Sequence, residues 1–134
     1  MILSALVALA LQTPADLTAA IPALRDWCAV TGAASETWDT ADGRALHLRR
    51  GRSGCGLFVQ GVRGDDGVLT LAVEESLAPA AEGWRPLRRR ERMITESGPT
   101  LWSEYVHPTA GSVLLIEPDE GHRGTVTLDL RGGD

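Results

Sequence analysis

The chain has 134 residues, is 43% apolar and carries a formal net charge of -5. That is room for one domain, too much apolar content for a disordered segment, and no overall case for nucleic-acid binding, which goes with a basic surface. All 13 basic residues are arginine, and Gly occurs 15 times. This bias is that of GC-rich, bacterial coding and says nothing about function.

Residues 1–15, MILSALVALALQTPA, differ from the rest. The run from Ile2 to Leu11 is apolar all round, whereas a surface helix would show one polar face. It is too short to span a bilayer, which takes roughly 20 residues. It fits a signal-peptide core followed by small residues, with Thr13 and Ala15 at the −3 and −1 positions of a cut after Ala15. The basic residues usual before such a core are missing; the alternative is a buried N-terminal helix. Cys28 lies too far from the apolar run for lipid attachment. The expectation is a signal peptide over 1–15, a single mature domain over 16–134, a periplasmic or secreted location, and no transmembrane segment after cleavage. The chain has two cysteines, and in an oxidising compartment the pair Cys28–Cys55 should be a disulfide.

Thr13-Pro14-Ala15-Asp16 reads as a helix start, with Thr13 as N-cap and Pro14 in the first turn. Leu17, Ile21, Leu24 and Cys28 form one helical stripe. Pro22 should kink or restart it, and Gly32 should stop it. Cys28 on the stripe would tie the helix to whatever it covers. Asp42-Gly43 reads as a two-residue hairpin turn that places Trp38 opposite His47 and turns Leu46 and Leu48 toward the core. Gly51–Gly56 is a flexible corner. The central feature is a hairpin of strands over 57–62 and 68–73, with Leu69, Leu71 and Val73 alternating against Thr70, Ala72 and Glu74. Residues 76–85 form a loop. Residues 90–96 and 100–107 should pair as strands around Ser97-Gly98-Pro99, although a short helix over 86–94 is an alternative. Residues 113–116 make an apolar strand, 118–124 a polar turn, and Val126, Leu128 and Leu130 mark a last alternating strand. The fold class is α+β: one N-terminal helix packed on an antiparallel meander sheet of about six to eight strands.

No motif carries a recognisable chemistry. Cys55 with His47 as base would make a nucleophile, but a disulfide accounts better for Cys55. Glu117, Asp119, Glu120 and His122 crowd one turn without calcium-loop spacing, so no metal or cofactor is expected. The glycine corner is neither a nucleophile elbow nor a phosphate loop. The Arg-Gly-Asp at 63–65 has the composition of any turn. The strongest candidate is the cluster Arg85, Arg88, Arg89, Arg90 and Arg92. Guanidinium groups suit phosphates and carboxylates, and Trp84 and Trp102 could add flat contact area. The alternative is a charged edge strand that resists aggregation.

These readings describe a small exported, non-enzymatic binding or accessory domain. It would contact an unknown protein or an anionic envelope component through the arginine strand. A hydrolase-like site near His107, His122 and Glu117 is the alternative function. Intact-mass measurement of the purified native protein should show the loss of residues 1–15 and of the two thiol hydrogens; a mass starting at Met1 with both thiols free would overturn export.

Overall fold

The structure is a computed structural model that describes residues 14–30, 32, 34–77 and 83–132. The apolar run, Thr13, part of the 76–85 loop and the last two residues lie outside the described residues.

Helix α1, Leu17–Ala29, is capped by Asp16, whose carboxylate accepts from the Ala19 N–H at 2.9 Å and from the Thr18 hydroxyl at 2.6 Å. The cap is therefore three residues later than the sequence suggested. The Thr18 hydroxyl and the Ala19 amide hold the Asp16 carboxyl below its usual value, as expected of an N-cap acid. Pro14 is buried, and the Pro14 and Ala15 carbonyls accept from the N–H groups of Ala41 and Asp42 at 3.0 and 3.1 Å. The helix runs through Pro22 as one element and ends at Val30, short of Gly32. Pro22 sits near the helix start on the exposed side, where it removes a single backbone bond. Leu17, Ala20, Ile21, Leu24 and Trp27 form the buried stripe.

Seven strands follow: β1 Ser35–Asp39, β2 Ala45–Arg50, β3 Gly54–Arg63, β4 Arg85–Thr95, β5 Gly98–His107, β6 Gly111–Pro118 and β7 Arg123–Gly132. They form one sheet in the order β1-β2-β3-β7-β6-β5-β4, with every neighbouring pair antiparallel. Two meanders, β1–β3 and β4–β7, are stitched together at β3–β7. This is the α+β class read from the sequence, with one helix more than expected.

That extra element is helix α2, Val68–Leu77, between β3 and β4. The expected central hairpin does not form. Leu69, Val73 and Leu77 also recur at helical spacing, and those three with Thr70 are the buried residues, while Leu71 is 51% exposed. Both periods fit so short a run. The local chemistry upstream decides it: Asp65 Oδ1 accepts from the N–H groups of Gly67 and Val68 at 3.0 and 3.1 Å, and Gly67 takes a positive φ of 93°. This arrangement starts a helix rather than closing a hairpin.

The first hairpin also shifts by one residue. Thr40 N–H donates to Arg44 O, Gly43 N–H donates to Thr40 O, and Gly43 has φ 92°. The loop is therefore three residues closed by a left-handed glycine, and Trp38 pairs with Leu46 rather than His47. A one-residue slip reverses a side chain's face, so Trp38 joins Leu46 and Leu48 in the core.

Both helices cover the same face of the sheet. Ile21, Leu24, Val73, Leu48, Leu57, Val59, Leu115, Val126 and Leu128 are almost fully buried there. A buried Leu or Ile contributes about 1.5–3 kcal/mol. The disulfide Cys28–Cys55 joins α1 to β3 across 27 residues; closing such a loop is worth about 3–4 kcal/mol in the chain-entropy description. Arg50 reinforces the joint by donating to the Trp27 and Cys28 carbonyls at 2.9 and 3.2 Å with its guanidinium 4.1 Å from the centroid of the Trp27 ring.

One acid lies in this core. Glu117 is 1% exposed; its Oε2 accepts from the Thr70 hydroxyl at 2.8 Å, while Oε1 has no partner among the described residues. Burial pushes its carboxyl above the usual 4.5. A folded state that holds a proton more tightly than the unfolded chain loses stability as pH rises above the unfolded value. Glu117→Gln should therefore raise the thermal midpoint at pH 7 and leave it nearly unchanged near pH 4, as checked by melting curves across pH.

Candidate binding surface

The arginine strand is β4, an edge strand, as the strand reading required. Register shifts between Pro86 and Arg88 and between Arg88 and Glu91 break its alternation, and Arg90 takes a positive φ of 51°. That conformation costs about 1–2 kcal/mol for a non-glycine residue and is held by bonds on both sides. Arg90 N–H donates to Ser103 Oγ at 2.9 Å, and its guanidinium donates to Asp65 O and Glu120 at 3.0 and 3.3 Å. Bulges of this kind splay successive side chains in different directions. Arg88 meets Glu104 and Glu91, Arg89 meets Glu74 of α2, and Arg92 meets Asp119. Four of the five clustered arginines thus have carboxylate partners. Each partly exposed pair is worth about 0–1 kcal/mol, but together they neutralise the cluster and fasten the edge strand to the helix and to the β6–β7 turn. Arg85 has no acid partner among the described residues.

The Glu74 link is a relay. Its carboxylate accepts two bonds from Arg89, at 2.8 and 3.1 Å, and one from the Tyr105 hydroxyl at 2.6 Å. Arg89 and the Tyr105 hydroxyl hold the Glu74 carboxyl below its usual value. Burial and the adjacent carboxylate push the Tyr105 phenol well above 10.

No helix among the described residues covers the other face of the sheet. Pairing places Glu91, Trp102, Ile116, Thr127, Phe58, His47 and Thr37 in one row across all seven strands. Phe58 stacks on His47 with centroids 4.9 Å apart, and Arg49 lies 5.4 Å over the same ring. A second row runs Arg88, Glu104, Leu114, Asp129, Gly56, Arg49, and a third runs Arg85, Val106, Ser112, Arg131, Gly54.

The third row lies at the end of the sheet where β2 turns into β3. There Arg49, Arg52 and Arg131 gather around the Gly51–Gly54 corner, with Arg85 at the same end of the sheet but on the β4 edge, and none of the four has a carboxylate partner among the described residues. A groove of about 410 Å³ on the open side is floored by Gly54 and Gly56 and flanked by Arg49, Arg131 and Asp129. A cleft of about 460 Å³ on the helix side has an apolar wall of Leu77, Trp84, Val113 and Leu130 and a rim holding Arg25, Arg52 and Arg131. The glycine corner is thus a bend, as read, but it is also where Arg49, Arg52 and Arg131 meet. The run Arg49-Arg50-Gly51-Arg52 was visible in the sequence; the contribution of Arg131 and Arg85 depends on strand pairing and was not.

The candidate residues therefore divide. Trp84 and Arg85 lie at this basic end, Arg88 on the open face, and Arg89, Arg90 and Arg92 in ion pairs with Glu74, Glu120 and Asp119. Trp102 lies near the opposite end, with its indole N–H on Thr100 at 3.0 Å. His107, His122 and Glu117 do not converge. His107 pairs with Gly111 and Thr100 with Pro118, so His107 lies roughly 20 Å from the Glu117 end at about 3.3 Å per residue. His107 instead accepts from Thr109 and Ala110 N–H, and its ring lies tilted against Trp84 with centroids 5.3 Å apart. Cys55 is bridged and is not a nucleophile. The Arg-Gly-Asp run is packing: Gly64 bridges to Glu120, and Asp65 serves α2. No group of three or more potential metal ligands forms among the described residues, nor is any described helix long and apolar enough to cross a membrane.

Comparison with protein-family models, with curated proteins and with solved structures finds no match to this chain. The class rests on the geometry: a disulfide-tied α+β domain with a covered face, an open face and one basic end.

The relay is directly measurable, because Tyr105 is the single tyrosine of the chain. Ultraviolet titration should show no phenolate at pH 10.5–11, where a free tyrosine of pKa about 10 is mostly ionised. In Glu74→Gln the transition should move down toward 10.

Proposed function

We propose that this protein is a non-enzymatic binding or accessory domain of the cell exterior or periplasm that contacts anionic groups of an envelope component through the basic end of its sheet. The observation that carries the reading is the division of the arginines. Arg88, Arg89, Arg90 and Arg92 of β4 meet carboxylates, while Arg49, Arg52 and Arg131 gather at the corner and Arg85 lies at the same end of the sheet, all four without an acid partner among the described residues. An uncompensated guanidinium group is available for a phosphate or carboxylate, to which it can donate two parallel bonds. Gly54 and Gly56 floor the groove between Arg49 and Arg131, and Trp84 supplies an apolar wall to the cleft on the helix side. The disulfide supports an oxidising compartment, and so does the signal-like N-terminal run.

The arginine strand takes part through Arg85 and Trp84, and its other members hold it in place. Sedimentation with phosphatidylglycerol vesicles tests this. The wild type should bind at low salt and release as salt rises. Arg49→Ser/Arg52→Ser/Arg131→Ser should lose binding at least tenfold with little change in melting. Arg88→Ser/Arg89→Ser/Arg90→Ser should melt earlier and still bind. Binding lost with the β4 triple variant but kept by the corner variant would return the contact to the strand; no binding by the wild type to these vesicles or to any component of an envelope pull-down would overturn the reading.

A further inference from the structure

At the opposite end of the open face, the β4–β5 and β6–β7 turns rise on either side of the sheet and enclose a cup of about 220 Å³. Its floor is Trp102, Ile116 and Thr127, consecutive members of the row across the sheet. Its rim carries Ser97, Thr125 and His122. Trp102 is half-buried and its ring is fixed: the indole N–H donates to Thr100 Oγ1, whose hydroxyl donates to Met93 O at 3.1 Å. An aromatic surface held this way loses little freedom when something is laid on it. The hydroxyls of Ser97, Thr125 and Thr127 make no hydrogen bond among the described residues, and each can both donate and accept. His122 faces Glu120 O through Nδ1 at 3.3 Å, which leaves Nε2 for another partner. No carboxylate lines the cup, and the guanidinium of Arg123 is engaged by Gly61 O at 3.1 Å.

This combination selects its ligand by chemistry. A phosphate or sulfate would find one committed arginine and the acids Glu96, Asp119 and Glu120 on the surrounding turns. A purely apolar chain would strand the hydroxyls. A ring with an apolar face and hydroxyl-bearing edges satisfies both the indole and the rim. We propose that the cup of Trp102, Ser97, Thr125, Thr127 and His122 binds one ring of a neutral saccharide. The cup does not rest on the basic end and uses none of its arginines.

The test is an amide and indole N–H spectrum of the full ¹⁵N-labelled chain titrated with three neutral probes: the N-acetylglucosamine trimer, maltotriose and cellotriose. The Trp102 indole signal is assigned by its loss in Trp102→Phe. At least one probe should shift that indole and the Thr125 and Thr127 amides saturably in the millimolar range, with the Trp27, Trp38 and Trp84 indoles unmoved. Ser97→Ala/Thr125→Val/His122→Ala alters exposed rim positions; it should keep the native spectrum elsewhere and weaken the shift at least fivefold. The absence of a saturable shift with all three probes would overturn the proposal. So would a shift unchanged by the rim variant, or a response of the same signals to adenosine or inorganic phosphate but to no saccharide.

Discussion

The backbone ladder between β3 and β7 holds the architecture together. Among the described residues it is the one strand ladder between the two meanders, and it pairs residues 60 to 77 positions apart in sequence. Such a seam carries a high loop-closure cost, so it depends on backbone fit. Gly54 and Gly56 supply that fit. A side chain at Gly54 would run into the Leu130 carbonyl, and one at Gly56 would meet Asp129 Oδ1 at 2.5 Å. The disulfide attaches to this strand at Cys55, between the two glycines, and draws α1 onto the back of the seam. The residues that let the halves of the sheet approach also leave the groove between Arg49 and Arg131 open. One constraint, a bare β3 backbone at its start, therefore sets both the closure of the fold and the shape of its basic end.

Where the sequence was readable, one physical signal acted alone. The stripe of α1 and the alternation of β7 each had a single interpretation, and for the cysteine pair the disulfide outweighed a nucleophile. The misreadings come from places where two signals competed. In Val68–Leu77 the period of two and the period of four both fitted, and the Asp65 side chain decided from outside the window. At Asp42-Gly43 the dipeptide was right and the loop length was wrong by one, which moved Trp38 from the open face into the core. The arginine cluster differs again. Its acid partners Glu74, Glu104, Asp119 and Glu120 lie 15 to 30 residues away in sequence for every pair except Arg88–Glu91, so no local reading of charge could show that the cluster is neutralised.

The register turns these local facts into a polarised molecule. The helices take the apolar side chains of β1–β3 and β5–β7 on one face, and the other keeps a row of half-buried and polar groups. Along the strands, charge separates as well. The corner end collects arginines, while the turns at the other end carry Asp65, Asp66, Glu96, Asp119 and Glu120. A net charge of -5 therefore does not describe the surface that a partner meets. Attraction over a Debye length of about 10 Å acts locally, so the basic end can draw an anionic surface while the far end turns from it. That orientation would leave the Trp102 cup facing away from the anionic contact.

The titratable groups most displaced by their surroundings bear on whether this is an enzyme. Glu117, Glu74 and Tyr105 are all perturbed, and perturbed groups cluster at functional sites often enough to invite a catalytic reading. Here each lies between α2 and the sheet rather than in a cleft. Glu117 faces Thr70 from β6, Glu74 reaches Tyr105 on β5 and Arg89 on β4, and none of the three lines the groove, the cleft or the cup. A general acid or base must reach its substrate within hydrogen-bond distance; Glu117 is almost fully buried, and the Glu74 carboxylate is already engaged by Arg89 and Tyr105. Their altered proton affinities follow from fastening a helix to a sheet with polar bonds where the apolar core thins toward the β4 edge. The same geometry that explains their titration argues for a structural role of these three groups at the helix–sheet interface.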